Sequence, residues 1–427
     1  MQDRDAVSQS PDRWLSLGIL CLVYGLSLAD RSVMSIFIGP IKAEYGLSDS
    51  GTVFLTATVF AIFYVCASIP FGLLADRANR RNWLVASTVL FSGASVLSGL
   101  VHSYPLLLMC RIGVGIGEAG FVPLAISLLA DKFDIGRRTT VMSLLTLGGA
   151  IGTWAGISGG GALEGAYGWR TALIVFGAAG LVVAVLTLVI REPVRGSVDG
   201  LDRAASAEAG FGETLRFCIR RRSVFHTLAG SVVIGFWGWG LSWWIPAFWE
   251  RSFGIGPAEG GALIGPAQGI VGTVGVLISS ALFLWLGRGD LRKPLWFLAA
   301  LGFVCTIPSI VAVLTGSRPT AVLMLWLFLP MAHISIGPTF ALLSSGVLPN
   351  MRGQINAIYV ALSNVASLAL APQLVGFLSD VLAPRMSHPA ESLRYALIPL
   401  AFTGFWGVLH FWLATRYIRA DLKALTT

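Results

Sequence analysis

The stretch Leu106-Leu-Leu-Met-Cys-Arg111-Ile-Gly-Val-Gly-Ile-Gly-Glu118-Ala-Gly-Phe-Val-Pro-Leu-Ala-Ile-Ser-Leu-Leu-Ala130 is apolar throughout except for Arg111 and Glu118. A helix needs about 20 such residues to cross the hydrocarbon of a bilayer, so this run is long enough to span. An ionisable group at that depth costs roughly 3 kcal/mol on insertion scales and persists only when paired or turned toward a wet cavity. Arg111 and Glu118 are seven residues apart, which places them on one face of a helix, about two turns from each other. A second embedded pair, Asp30 and Arg31, lies in the apolar run 14–38.

Runs of this kind recur at about 14–38, 51–75, 82–101, 106–130, 139–163, 169–190, 224–248, 257–286, 294–314, 320–348, 352–378 and 394–416. Of the 427 residues, 55% are hydrophobic and 12% charged. Soluble domains carry about 25% charged residues, so the composition is that of an integral membrane protein. The first run is too long for the apolar core of a cleavable leader and is expected to remain as a span. One long polar stretch divides the runs six and six. The expected organisation is an all-α membrane protein of twelve transmembrane helices: a six-helix bundle over 1–190, a linker over 191–223 and a second six-helix bundle over 224–427. Within the linker, Glu213-Thr-Leu-Arg-Phe-Cys-Ile-Arg-Arg-Arg222 reads as a short basic helix on the membrane surface.

The formal charge of +8 would suggest nucleic acid in a soluble chain, but its distribution obeys topology instead. With the N-terminus inside, 22 of the 30 lysines and arginines fall in inner segments and 6 in outer ones, Arg31 and Arg111 being within spans. This asymmetry predicts both termini in the cytoplasm, a plasma (inner) membrane of bacterial type, and no nucleic-acid partner. The five cysteines have neither paired nor metal-ligand spacing and read as packing residues. No nucleotide loop, metal cluster or nucleophile–base set is evident, so neither an enzyme nor a cofactor is expected.

The loop after the second run reads Gly72-Leu-Leu-Ala-Asp76-Arg77-Ala-Asn79-Arg80-Arg81. Basic residues there serve topology in any membrane protein, but the Gly-x-Leu-Ala-Asp-Arg part closely resembles the signature loop of the major facilitator superfamily. The twelve-run, two-half layout fits that family along the whole chain. Asn79 stands where the family usually has glycine, and asparagine also tolerates a left-handed backbone. The resemblance implies a cytoplasmic gate in which Asp76 latches against the start of the eleventh run near Arg352, with Arg77, Arg80 and Arg81 around it. The second-half loop Gly287-Arg-Gly-Asp290-Leu-Arg-Lys293 echoes this motif, as internal repeats predict.

Glycines at spacing four form two stripes, Gly148, Gly152, Gly156 and Gly160 in the fifth run and Gly261, Gly265 and Gly269 in the eighth. Small residues at this spacing let helices approach closely in lipid. Static packing accounts for them. A functional reading has these two helices meeting across the halves and sliding during a transport cycle. The first stripe resembles the family's antiporter motif, but Thr153 holds the usual proline position, so exchange is not supported.

A narrower resemblance rests on Arg111-Ile-Gly-Val-Gly-Ile-Gly-Glu118-Ala-Gly, Asp131-Lys-Phe, Arg137 and Gly168-Trp169-Arg170. It extends to Glu192-Pro193-Val-Arg195-Gly196 and to Pro349-Asn-Met-Arg352-Gly-Gln354 running on to Pro372-Gln-Leu-Val-Gly376. These look like the spinster branch, and imply a proton-linked carrier of lysolipids or related anionic amphiphiles. The embedded Asp-Arg and Arg/Glu pairs also resemble the organic anion:cation symporters, which carry small sugar acids.

A structural ion pair would account for the embedded charges, but their depth favours a proton switch. Asp30 lies about eight residues from the outer end of its run and Arg111 about five from its own, so they can pair. Arginine cannot lose its proton, so Arg111 acts as a mobile counter-ion between Asp30 and Glu118. Arg31 is assigned to substrate or to an outer gate. In the second half, Phe236, Trp237 and Trp239 are candidates to line an apolar cavity, with Gln268, His333 and Asn364 as neutral polar contacts. A lone histidine such as His333 is more often a packing residue. The proton is the expected coupling ion, an amphipathic or small organic anion and membrane lipids are the expected partners, and a monomer is the default for this fold.

Overall fold

The computed structural model of the chain describes residues 12–193, 210–287 and 290–426. Among these, 12 helices are long and apolar enough to cross a membrane. They are Asp12–Val33, Asp49–Gly72, Arg80–Leu100, Tyr104–Lys132, Gly136–Tyr167 and Trp169–Thr187, then Arg222–Phe253, Pro257–Phe283, Arg292–Leu314, Arg318–Ser345, Arg352–Arg385 and Glu391–Lys423. The first span stops at Val33, five residues short of its apolar run. A turn over 34–37 comes next, then a short helix, Ile38–Tyr45. Pro40 is tolerated in its first turn, where a backbone N–H has no helical partner. Gly46, at φ +61°, closes it in a left-handed cap that a side chain would strain, its N–H donating to Lys42 O.

Two compact units divide the chain. The first comprises Met1–Leu47, Phe54–Arg203 and Ile255–Gly269; the second comprises Ser48–Val53, Ala204–Gly254 and Ile270–Thr427. The second and eighth spans therefore each contribute to both units. In each, the change of unit coincides with a π-helical turn, Phe54–Thr58 and Ala267–Val271. Such turns are rare and shift the helical register of the residues beyond them.

Within the first unit, the fifth-span stripe seats the first span. A Cβ on Gly152 would lie 2.0 Å from Gly25 O, and one on Gly156 would lie 2.5 Å from Ala29 Cα. Gly148 meets Cys21 in the same way. The eighth-span stripe meets another face of the fifth span: Gly261 lies against Ile157, Gly265 against Ser158 and Gly269 against Trp154. The Ser158 hydroxyl donates to Gly261 O at 3.0 Å. The two helices thus meet as expected, but the fifth-span stripe is not the face that receives the eighth span. Gly152 and Gly156 lie two residues from Trp154 and Ser158, about 200° around the helix, so one stripe serves the first span while its reverse side receives the eighth.

In the second unit, the described helix Phe211–Arg220 packs through Cys218 on a cluster with Val224, Leu343, Val347, Met351 and Ile355. At the start of the second span, the Asp49 carboxylate accepts both terminal nitrogens of Arg251 at 2.7 and 2.8 Å and the Ser379 hydroxyl at 2.6 Å. Asp380 accepts the backbone N–H groups of Asp49 at 2.8 Å and Ser50 at 2.9 Å, and so caps the helix that begins there. Asp290 accepts the Arg292 N–H at 3.0 Å and a terminal nitrogen of Arg419 at 2.6 Å. These bonds, the backbone one first, hold its carboxyl below the usual aspartate range.

Gly152→Val should cost about 1–3 kcal/mol by overpacking and lower the thermal midpoint, whereas Gly18→Ala, whose Cβ meets nothing within 4 Å, should not lower it. The stability contributed by Asp290 should be fully present above an ordinary carboxyl value of about 4 and fade as pH falls through the depressed one. In thermal melts against pH, Asp290→Asn should remove that increment.

Candidate functional site

The four embedded charges come together in the first unit, between the first and fourth spans, as two crossed pairs. Arg111 donates through Nη1 to Asp30 Oδ2 at 3.2 Å. Arg31 donates through Nε and Nη2 to Glu118 Oε2 at 3.1 and 2.7 Å. Asp30 and Arg31 are neighbours in sequence, so two turns of the fourth span are read by consecutive residues of the first. The set is neutral overall, and the Glu118 and Arg111 side chains are essentially sealed from solvent while Arg31 keeps 18% of its surface. Removing one member of such a pair strands the other charge, which typically costs about 3–5 kcal/mol.

The motif glycines make this meeting possible. A Cβ on Gly115 would lie 2.7 Å from Phe60 O, and one on Gly117 would lie 2.6 Å from the Phe91 backbone. The second and third spans can therefore press against the fourth between its two charges. The second span brings its rings with it: Arg31 lies over Phe60 at 4.9 Å and over Tyr64 at 4.7 Å, and Arg111 lies 5.7 Å from Phe60. Ring faces stabilise guanidinium groups that have lost water. Tyr24, seven residues before Arg31 on the same helix face, stacks on Phe121. Ser95 of the third span donates its hydroxyl to Asp30 Oδ1 and lies 3.3 Å from Leu173 O.

Phe60, Tyr64 and Ser95 are absent from the residues singled out by sequence. Tyr24 is absent from them too, although its seven-residue spacing from Arg31 is a signal that could have found it. Ser95 carries no such signal, because Ser87, Ser92 and Ser98 in the same span are buried as well. Three polar atoms at the site have no partner among the described residues: Arg111 Nε, Arg111 Nη2 and Glu118 Oε1. The residue expected to pair with Glu118 was Arg111, and Arg31 was reserved for substrate or gating. The expected pairing of Asp30 with Arg111 is present, whereas Glu118 is held by Arg31, because adjacent positions on the first span reach points about two turns apart on the fourth.

The remaining candidates divide. Arg80 is fully buried in the first unit, bound to Asp131, to Glu192 at 2.7 Å, to Ser127 O at 3.0 Å and to Pro193 O at 3.1 Å. It ties together the start of the third span, the end of the fourth and the residues after the sixth. The Arg81 backbone N–H donates to Glu192 Oε2 at 2.9 Å. Arg352 is exposed and donates to Ser344 O at 3.2 Å. The side chains of Asp76 and Arg77 lie outside the described residues, and with them the expected latch.

Trp237 is a core residue of the second unit and not a cavity wall, with its indole N–H on Ser309 Oγ at 3.1 Å and its ring against Phe328. Phe236, Trp239 and Asn364 are half-buried. Trp239 meets the His333 ring edge-on at 5.0 Å, and His333 Nε2 is buried without a partner among the described residues. Gln268, buried in the first unit, has an Oε1 that likewise lacks a partner among them.

A neutral charge ladder inside a twelve-helix membrane fold defines a class of membrane carrier, and comparison with known proteins agrees. The family model for the Major Facilitator Superfamily matches residues 20–372. The chain belongs to that superfamily and is an integral membrane protein. It is 31% identical to an MFS-type efflux pump of Mycolicibacterium smegmatis, over 96% of this chain and 94% of that one. It is 27% identical to protein spinster homolog 1 of Homo sapiens, over 96% and 82%. The crystal structure of a bacterial homolog to the human lysosomal transporter Spinster, inward-facing and unoccupied, matches with a TM-score of 0.86 at 24% identity, over 97% of this chain and 99% of that one. That last likeness is one of fold. The superfamily and the likeness to spinster proteins read from the motifs both stand.

If the crossed pairs are energetically independent ladders, Arg111→Gln should destabilise the purified protein more than the double change Arg111→Gln with Asp30→Asn. Thermal unfolding of the two variants in detergent checks this, and equal midpoints would contradict it.

Proposed function

We propose that the chain is a proton-coupled secondary carrier that moves an anionic amphiphile of the lysolipid type by alternating access. The observation that carries this reading is the crossed ladder with its unsatisfied atoms on Arg111 and Glu118, residues that share one face of the fourth span. A proton on Asp30 releases Arg111, whose unpartnered nitrogens then compete with Arg31 for Glu118. Arg31, partly exposed and flanked by Phe60 and Tyr64, is thereby freed to meet an anionic group beside an aromatic wall. Proton and substrate are coupled because both act on one set of counter-ions.

The half-buried Trp239–His333 contact offers the second unit a mostly apolar surface with one neutral polar group, suited to a substrate with a single charged head. The names of the relatives, an efflux pump and spinster homologs, support transport as the activity. The distribution of lysine and arginine supports a plasma membrane of bacterial type with both termini inside. A monomer suffices for this mechanism, and no enzymatic step or bound cofactor enters it.

In proteoliposomes with an imposed proton gradient, a labelled lysolipid should be driven across the membrane. Glu118→Gln should abolish that driven flux in protein that still folds and binds substrate, with a thermal midpoint lowered by the stranding of Arg31. Uphill transport surviving in this variant would refute the switch. Driven flux of a hexuronate in place of the lysolipid would assign the protein to small organic acids.

A further inference from the structure

The helix Phe211–Arg220 presents three faces. Thr214 and Cys218 are 0% and 1% exposed and turn into the second unit, where the Thr214 hydroxyl donates to Gln354 Oε1 at 2.6 Å. Next to that face runs an apolar stripe at spacing four, Phe211, Leu215 and Ile219, exposed by 64%, 37% and 61%. At 100° per residue, Arg216 and Arg220 lie on the far side of the stripe from the protein, and both are exposed. Three bare apolar side chains would be a liability in water. In a membrane protein the stripe continues outward-facing Phe225, 41% exposed, one turn into the seventh span.

We propose that this helix docks on the anionic phospholipid leaflet, its stripe in the acyl chains and its arginines at the phosphate groups. An interfacial helix with a polar basic face and an apolar face has this arrangement, and anionic lipid adds attraction per basic residue. Two further arginines sit at the same level: Arg221 lies over the Phe217 ring at 5.4 Å and Arg222 over Tyr417 at 5.3 Å. The occupant is lipid and not a soluble anion because the charges flank an exposed apolar strip. It is anionic lipid because Glu213 is the helix's one acidic residue against four arginines over 213–222. Gln354 stands two residues into the eleventh span, so lipid held by this helix is mechanically joined to that span's inner start.

Hydrogen–deuterium exchange of the full chain in lipid nanodiscs tests this without knowledge of the substrate. Exchange over 211–220 should be roughly tenfold slower in phosphatidylcholine discs containing phosphatidylglycerol than in phosphatidylcholine alone, and high salt should erase the difference. Arg216→Gln with Arg220→Gln should erase it too, with exchange elsewhere unchanged. Thr214→Val should speed exchange in both discs yet keep their ratio. Equal exchange in the two discs overturns the proposal. So does protection that rises with protein concentration instead of lipid charge, which would assign the stripe to a second copy of the chain.

Discussion

Four charges buried in a hydrocarbon-embedded interior must neutralise one another, and most of the first unit can be understood as the means of doing so. Asp30 and Arg31 leave the first span in successive directions, and only a fourth span pressed close can answer both. Closeness is supplied by missing side chains. Gly115 and Gly117 admit the backbones of the second and third spans, and Gly152 and Gly156 admit the first span to the fifth. In lipid there is no hydrophobic drive to bring helices together, so contact distance and paired polar groups bear the association. Charge and glycine are therefore two halves of one constraint.

The ladder is satisfied only in part, and that incompleteness is what makes it suited to change. A fully bonded network would be rigid. Here Arg111 uses one nitrogen and Glu118 one oxygen, so alternative pairings need no additional charge to be buried. The aromatic faces of Phe60 and Tyr64 keep the guanidinium groups supported while partners are exchanged. Phe60 stands two residues beyond the π-helical turn Phe54–Thr58, and such a turn shifts the register of the residues that follow it. By contrast Arg80, with bonds to four separate groups, has no such slack and acts as a fastening.

The second unit is organised differently. Its charge clusters lie near span ends, as in Asp49–Arg251 and Asp290–Arg419, and its interior is filled by side chains such as Trp237, whose one polar atom finds Ser309. On the proposed function, the half that holds the embedded charges would answer to protons and the largely apolar one would meet the amphiphile. The superfamily membership supplies the frame for that reading, and the arrangement of this chain's own residues supplies its content.

Much of this was legible in one dimension. Twelve apolar runs, the lysine and arginine asymmetry and the Asp76 loop determine class and layout, because hydrocarbon thickness and backbone hydrogen bonding leave a spanning chain few options. The four embedded charges also declare themselves, since each is costly unless paired. Similar depths in their runs also allowed Asp30 to meet Arg111, as it does, but that Glu118 meets Arg31 was a different matter. The seven-residue interval between Arg111 and Glu118 shows that they share a face, but their partners depend on the rotation and height of the first span. Those are set by glycine contacts made with residues more than a hundred positions away. The same holds for Ser95, one buried serine among several, and for the glycine stripes: their helices meet as expected, but the first stripe faces the first span while the second faces the fifth. Periodicity along one helix fixes directions relative to its own axis; only packing decides what lies in each direction.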